Sequence, residues 1–101
     1  MEYQIVSAGV NVAPGLKPLT WAEKDATDVA SFMASAQGPL HGQSITPLRG
    51  GAATRGAILR AIREAGLLGD YVFVYFSGHG TEQGIATADG ILDYEKARPR
   101  A

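Results

Sequence analysis

The sequence predicts an α/β fold in which a mainly parallel sheet lies between two layers of helices. Short apolar segments alternate with two segments of helical periodicity between residues 3 and 76. The most apolar segment, Tyr71 to Phe76, has strand-forming residues on both faces, which is typical of a strand covered on both sides. The order strand, helix, strand, helix, strand implies parallel strands joined by crossovers. We therefore expect one three-layer α/β/α domain over residues 1–101, with Tyr71 to Phe76 at the centre of the sheet.

The first strand and the first helix are predicted from residues 3 to 36. Tyr3 to Val10 is short and mostly apolar, which indicates a buried strand. Thr20 and Glu23 have the spacing of a capping box, so a helix is expected over 21–36. On a helical wheel its core-facing arc is expected to contain Trp21, Ala22, Ala26, Val29, Phe32, Met33 and Ala36.

The second half of the domain follows from similar patterns. Residues 44–51 form a weak strand candidate, because Pro47 cannot donate to a sheet ladder. Thr54 is predicted to cap a second helix over 55–65, with Gly66 as its stop. Asp89-Gly90 between two short apolar runs predicts a hairpin, and the polar end of the chain is expected to be a frayed tail.

Composition excludes several classes of function. Apolar residues make up 46% and charged residues 19% of the chain, and the net charge of −1 includes no charged block, so neither nucleic acid nor a membrane surface is an expected partner. The chain has no cysteine, which excludes disulfides, thiolate metal sites and a thiol nucleophile within these residues. No signal-peptide pattern or membrane-spanning run occurs, so a cytoplasmic location is expected. No pattern predicts a cofactor or a metal.

The end of the most apolar strand carries the first candidate site. Ser77, Gly78, His79 and Gly80 follow Phe76 directly, and functional groups gather at the carboxyl ends of parallel strands. Histidine suits proton transfer near neutral pH, and glycines allow close approach of a substrate and offer N–H groups to negative charge. An incidental histidine at a strand exit explains the same residues equally well. The spacing of "GHGTEQG" does not fit a dinucleotide loop.

A second candidate is Asp25, because the helical wheel places it inside the apolar arc, between Phe32 and Ala36. A carboxylate among apolar side chains costs free energy unless it is paired or hydrogen-bonded. It is explained either by a ligand site or by a hydrogen bond to a nearby backbone group.

Three segments of the chain together resemble the large-subunit region of caspase-like cysteine peptidases. They are "LKPLTWAEKDATDVASFM", "ITPLRGGAATRGAILRAIREA" and "GDYVFVYFSGHG", the last with the diagnostic S-G-H-G. The likeness is closer to metacaspases and bacterial caspase homologues than to animal caspases. It implies a caspase-like fold and a cysteine endopeptidase that cleaves peptide or protein substrates after Arg or Lys.

The resemblance also implies a role for each candidate residue. His79 matches the catalytic histidine, and Gly80 matches the glycine whose N–H helps to form the oxyanion hole. Asp25 matches the acidic residue of the pocket for the basic side chain, and Ser77, followed by Gly78, matches the rim of that pocket. Some metacaspases need calcium, but no calcium-loop pattern occurs in this chain.

The chain departs from the family at one decisive point. The nucleophilic cysteine of caspases follows the histidine by roughly 50 residues, and no cysteine follows His79 here. We therefore expect the N-terminal part of a peptidase domain, with the cysteine on a further segment or chain, or else a non-catalytic caspase-like interaction module. With the closing strands missing, an exposed apolar sheet edge and self-association are also expected.

Overall fold

The computed structural model describes residues 3–35, 38, 45–69 and 71–97. It is an α/β structure with a three-stranded parallel sheet, a separate antiparallel hairpin and two long helices. The elements are β1 (Tyr3–Gly9), α1 (Ala22–Ala34), β2 (Leu48–Arg49), a 3-10 turn (Gly50–Ala52), α2 (Arg55–Leu68), β3 (Tyr71–Ser77), β4 (Gly84–Thr87), β5 (Gly90–Asp93) and α3 (Tyr94–Ala97).

The sheet has the predicted parallel pairing but not the predicted centre. The strand order is β2-β1-β3, with β1 parallel to both neighbours. β3 was expected at the centre with both faces buried, and this expectation is wrong. Phe73 and Val74 are 53% and 41% exposed, because among the described residues no strand lies beyond β3. The predicted exposed apolar edge is thus confirmed.

The two long helices lie on opposite faces of the sheet, as alternate residues of β1 show. On one face, the Ser7 hydroxyl donates to the carbonyl of Ala26 in α1 at 2.7 Å. On the other face, Val6, Ala8 and Val10 belong to the hydrophobic core that includes Ile58 and Ile62 of α2. The three-layer arrangement of helix, sheet and helix is therefore present.

The face of α1 that meets the sheet confirms the predicted apolar arc at Ala22 and Ala26 but not at Trp21 and Phe32. Ala36, the last residue of that arc, lies outside the described residues. The buried residues of α1 are alanines, namely Ala22, Ala26 and Ala30, whereas Trp21 and Phe32 are 65% and 59% exposed. The reason is the close approach of α1 to β1. A Cβ atom at Gly9 would lie 2.9 Å from the Ala26 Cβ, so large side chains cannot occupy this contact.

The start of α1 is stabilised from outside the helix. Thr20 was expected as the N-cap, but the helix begins after Trp21, which makes no side-chain cap. Instead the Glu23 N–H donates to Asn11 Oδ1, and the Asn11 N–H donates to Glu23 Oε2, each at 3.1 Å. This reciprocal pair satisfies a helix-start donor as a capping box does, with a residue of the preceding loop in the capping position.

The second helix confirms its predicted start and corrects its predicted end. Thr54 Oγ1 accepts a hydrogen bond from the Ala57 N–H at 3.1 Å, as expected for an N-cap. α2 continues past Gly66 to Leu68 and ends at Gly69, so the predicted stop at Gly66 is wrong. Ile58, Ile62 and Ala65 form its buried stripe.

The remaining elements match their predictions in outline. β2 is limited to Leu48–Arg49, directly after Pro47. The predicted hairpin is confirmed, since β4 and β5 pair antiparallel with Thr87 opposite Gly90. Its two turn residues are Ala88 and Asp89, one position before the predicted Asp89-Gly90, because Gly90 already belongs to β5. The segment 94–97 is a short helix instead of a frayed tail, and residues 98–101 lie outside the described residues. In the described part of the chain, no helix has the length and apolar character needed to cross a membrane.

Candidate functional site

The candidate residues lie where the carboxyl ends of β1 and β3 meet. The Val10 N–H donates to the Ser77 carbonyl at 3.0 Å, which joins the two strand ends. Residues 78–80 then leave the sheet toward β4, and α1 starts on one face of the same edge. The predicted position of residues 77–80 at the carboxyl end of this strand is confirmed.

The His79 imidazole is held by the loop between β1 and α1. Its Nε2 lies 2.7 Å from the carbonyl oxygen of Lys17, and the ring is half-buried. Because a carbonyl can only accept, Nε2 carries the hydrogen, and Nδ1 is the ring nitrogen left to exchange a proton. A backbone carbonyl has no residue-type pattern, so the sequence could not single out Lys17.

Gly78 occupies a position that a side chain would not fit. Its φ is 157°, and a Cβ atom there would lie 2.8 Å from the ring of Phe76 and 3.2 Å from the carbonyl oxygen of Val10. The glycine was predicted to allow close approach of a substrate. In the fold it allows the chain to turn out of β3 against its own neighbours.

Gly80 is exposed and directs its backbone groups away from the hairpin. It bridges Ile85 in an antiparallel arrangement in which the flanking residues make the hydrogen bonds. The Ala86 N–H donates to the His79 carbonyl at 2.9 Å, and the Thr81 N–H donates to the Gly84 carbonyl at 2.8 Å. In such a non-hydrogen-bonded pair, the N–H of Gly80 itself points away from β4.

The hairpin that supports His79 is tied to the rest of the domain at its tip. Asp89 Oδ1 accepts from the Arg55 N–H at the start of α2 at 2.9 Å and from the Thr87 hydroxyl at 3.0 Å. The bond from the Arg55 N–H is the main cause that lowers the pKa of Asp89. The sequence identified Asp89 only as a turn residue, because its contact with α2 spans 34 positions.

Asp25 lies beside Ser77 and is exposed, not buried among apolar side chains as predicted. The Ser77 hydroxyl donates to Asp25 Oδ2 at a long 3.4 Å. The structure therefore brings together two of the residues predicted to bind substrate, although the argument from burial was wrong. Trp21 lies one helical turn before Asp25 and is 65% exposed, so the surface beside the carboxylate is aromatic.

Neither a metal-binding group among the described residues nor a known relative identifies the chemistry of this site. Within residues 3–35, 38, 45–69 and 71–97, no group of three or more potential ligand side chains could hold a metal ion. Comparisons with protein-family models, with curated proteins and with solved structures find no match to this chain. The caspase-like resemblance therefore depends only on the three sequence segments that carry it, and it stays a prediction.

Proposed function

We propose that this chain is the histidine-bearing part of a caspase-like cysteine endopeptidase that cleaves after Arg or Lys. The observation that carries the proposal is the state of His79. Its Nε2 is fixed by the Lys17 carbonyl at 2.7 Å at the carboxyl end of a parallel sheet, which leaves Nδ1 for proton exchange. The neighbouring Ser77–Asp25 contact supplies a carboxylate for a basic side chain.

The chemistry needs a thiolate from a segment beyond these 101 residues, since they contain no cysteine. The thiolate attacks the scissile carbonyl and forms a carbon–sulfur bond, and the carbon–nitrogen bond breaks as His79 gives a proton to the leaving amine. Water then attacks the thioester while His79 accepts a proton from that water, and the carbon–sulfur bond breaks to release the acid and return the thiolate. The Gly80 N–H points away from β4, and its proposed role is to donate to the oxyanion.

The solvent exposure of Asp25 determines how strongly it can pair with a basic side chain of the substrate. An exposed ion pair contributes about 0.2–1 kcal/mol, whereas removing one partner of a desolvated pair costs roughly 2–5 kcal/mol. In the isolated chain we therefore expect only weak pairing with an arginine. Strong selection of Arg or Lys requires that the rest of the enzyme and the substrate cover Asp25, where an arginine can bind it with two hydrogen bonds.

The test is kcat/KM of the complete gene product for matched peptides that end in Arg, Lys or Asp. We expect cleavage after Arg and Lys, its loss in His79→Ala, and a decrease of about thirtyfold or more in Asp25→Ala. Asp28→Ala is the matched control, because Asp28 is on the same helix but binds Lys24. Preference for Asp, or unchanged cleavage in both site variants, would contradict the proposal.

A non-catalytic interaction module is the second candidate, and the exposed apolar strand β3 favours it. The coding sequence beyond Ala101 distinguishes the two functions. A continuing frame that encodes Asp-x-Cys supports the peptidase, and a stop codon supports the module. The 101-residue chain alone is expected to show no peptidase activity in either case, because the nucleophile of the catalytic unit is absent.

A further inference from the structure

Trp21, the residue directly before α1, lies beside the candidate carboxylate Asp25. The Asp25 N–H donates to the Trp21 carbonyl at 2.9 Å, so the two residues are one helical turn apart. Residues four apart are neighbours on a helix surface, and helical side chains lean toward the N-terminus, so Asp25 leans toward Trp21. This spacing is set by the backbone at the start of α1 and does not depend on any further segment of the protein.

Both side chains are available to a ligand in the described part of the chain. Trp21 is 65% exposed, and no described residue stacks on its ring or accepts from its indole N–H. Among the described side chains, only that of Ser77 donates to the Asp25 carboxylate, at a long 3.4 Å. The adjacent cation, Lys24, binds Asp28 instead, at 2.6 Å. An aromatic face and a carboxylate without a cationic partner therefore lie on one turn of the helix.

We propose that Trp21 stacks on the basic side chain that Asp25 binds, and that it makes the site select arginine over lysine. This selectivity rests on the proposed function, since it concerns the same substrate side chain. A guanidinium is planar, so it can lie on an indole face while its N–H groups reach a carboxylate with two hydrogen bonds. A lysine ammonium is a compact, strongly hydrated charge that pairs with the carboxylate but gains less from the ring. Asp25 thus selects a cation, and Trp21 selects between the two cations.

The fluorescence of Trp21 tests the binding directly, because it is the one tryptophan in the sequence. The 101-residue chain is titrated with the N-acetyl amides of arginine, lysine and citrulline, the last a neutral isostere of arginine. We expect a weak, saturable change with arginine, a dissociation constant about threefold or more higher for lysine, and no saturable change with citrulline. Asp25→Asn is expected to abolish the arginine response, and Asp28→Asn, on the same helix, to retain it. A flat titration with arginine, or equal responses to arginine and citrulline, would overturn the proposal.

The selection between arginine and lysine is measured on the complete gene product. We expect Trp21→Leu to lower kcat/KM for a peptide ending in Arg roughly three- to thirtyfold more than for the matched Lys peptide, and Trp21→Phe to restore most of the difference. Asp25→Ala is expected to lower both values. Phe32→Leu is the matched control, because Phe32 is a 59% exposed aromatic of α1 that lies about 10 Å along the helix axis from Asp25. This variant is expected to keep the ratio of the parent.

The two measurements distinguish the role of Trp21 from the peptidase function. Cleavage after Arg with a ratio of Arg to Lys that Trp21→Leu leaves unchanged would overturn the role of Trp21 and leave the peptidase proposal standing. A selective arginine response of Trp21 in a gene product that cleaves no peptide would contradict the peptidase proposal and retain the binding of arginine side chains at Trp21 and Asp25.

Discussion

At the residue scale, Asp89 connects the loop of the candidate site to the body of the domain. Its carboxylate accepts from the first N–H of α2 and from Thr87, whose side chain is fully buried. Arg55 adds an ion pair, with its Nε 3.4 Å from Asp89 Oδ1. The hairpin that carries these contacts also binds the His79 carbonyl, so one side chain influences how firmly the candidate site is held.

The lowered pKa of Asp89 predicts an acid-sensitive contribution to stability. Since the folded pKa lies below the ordinary value of 3.8, the contribution is fully present above that value and is lost as the pH falls through the folded pKa. When the pH is lowered from about 5 to about 2, we expect the free energy of unfolding to fall less in Asp89→Asn than in the parent. Urea unfolding at a series of pH values measures this difference.

Glu82→Gln is the control for the acid series. Glu82 is an exposed carboxylate of the loop that precedes the same hairpin. This variant is expected to keep the pH dependence of the parent. An Asp89→Asn variant with the full acid dependence of the parent would show that Asp89 does not contribute in this way.

At the element scale, the two long helices start by different means. α2 is capped by Thr54, the residue directly before it. α1 is capped by Asn11, which precedes Glu23 by 12 positions and lies in the loop after β1. That loop also contains the Lys17 carbonyl that holds His79, and it is closed by a hydrogen bond from the Leu19 N–H to the Asn11 carbonyl at 2.7 Å. Asn11 therefore organises both the helix start and one side of the site.

Replacing Asn11 by alanine is expected to lower the free energy of unfolding by about 0.5–2 kcal/mol, the usual effect of losing a cap. Thr20→Ala is the matched control and is expected to have little effect, because Thr20 does not cap α1. Chemical denaturation of the two variants measures the difference. If Thr20→Ala proved the more damaging, the assignment of the cap to Asn11 would be wrong.

At the scale of the whole molecule, the two faces of the sheet are covered in different ways. On the α2 face, Val6, Ala8 and Val10 meet branched side chains of α2 in the main core. On the α1 face, Gly9 and Ser7 meet alanines, and α1 approaches β1 so closely that its larger apolar residues lie outside the contact. Most hydrophobic stabilisation therefore comes from one layer, and the other layer positions Asp25 beside Ser77.

Gly9→Ala is expected to destabilise the domain by roughly 1–3 kcal/mol, because the added methyl group would overlap Glu23 Cα and Ala26 Cβ, at 2.8 and 2.9 Å. Gly56→Ala is the control, and it is expected to raise the free energy of unfolding instead of lowering it. Apart from the backbone of its own helix, the added methyl group meets nothing within 4 Å, so a gain of about 0.5–1 kcal/mol is expected. Thermal and urea unfolding compare the two, and a neutral Gly9→Ala would mean that α1 can shift away from β1.

The sequence by itself determined the order of the elements, the parallel pairing, the Thr54 cap, the hairpin and the edge of the sheet where His79 and Ser77 lie. These properties depend on local periodicity, on turn residues and on the alternation of strands with helices. Tertiary structure alone decided that β1 is the central strand, that alanines form the buried face of α1, and that Asn11, Lys17 and Asp89 support the site. The physical reason is that strand order, close approach of backbones and hydrogen bonds between distant residues depend on which surfaces meet in space, and local patterns of residue type do not encode those encounters.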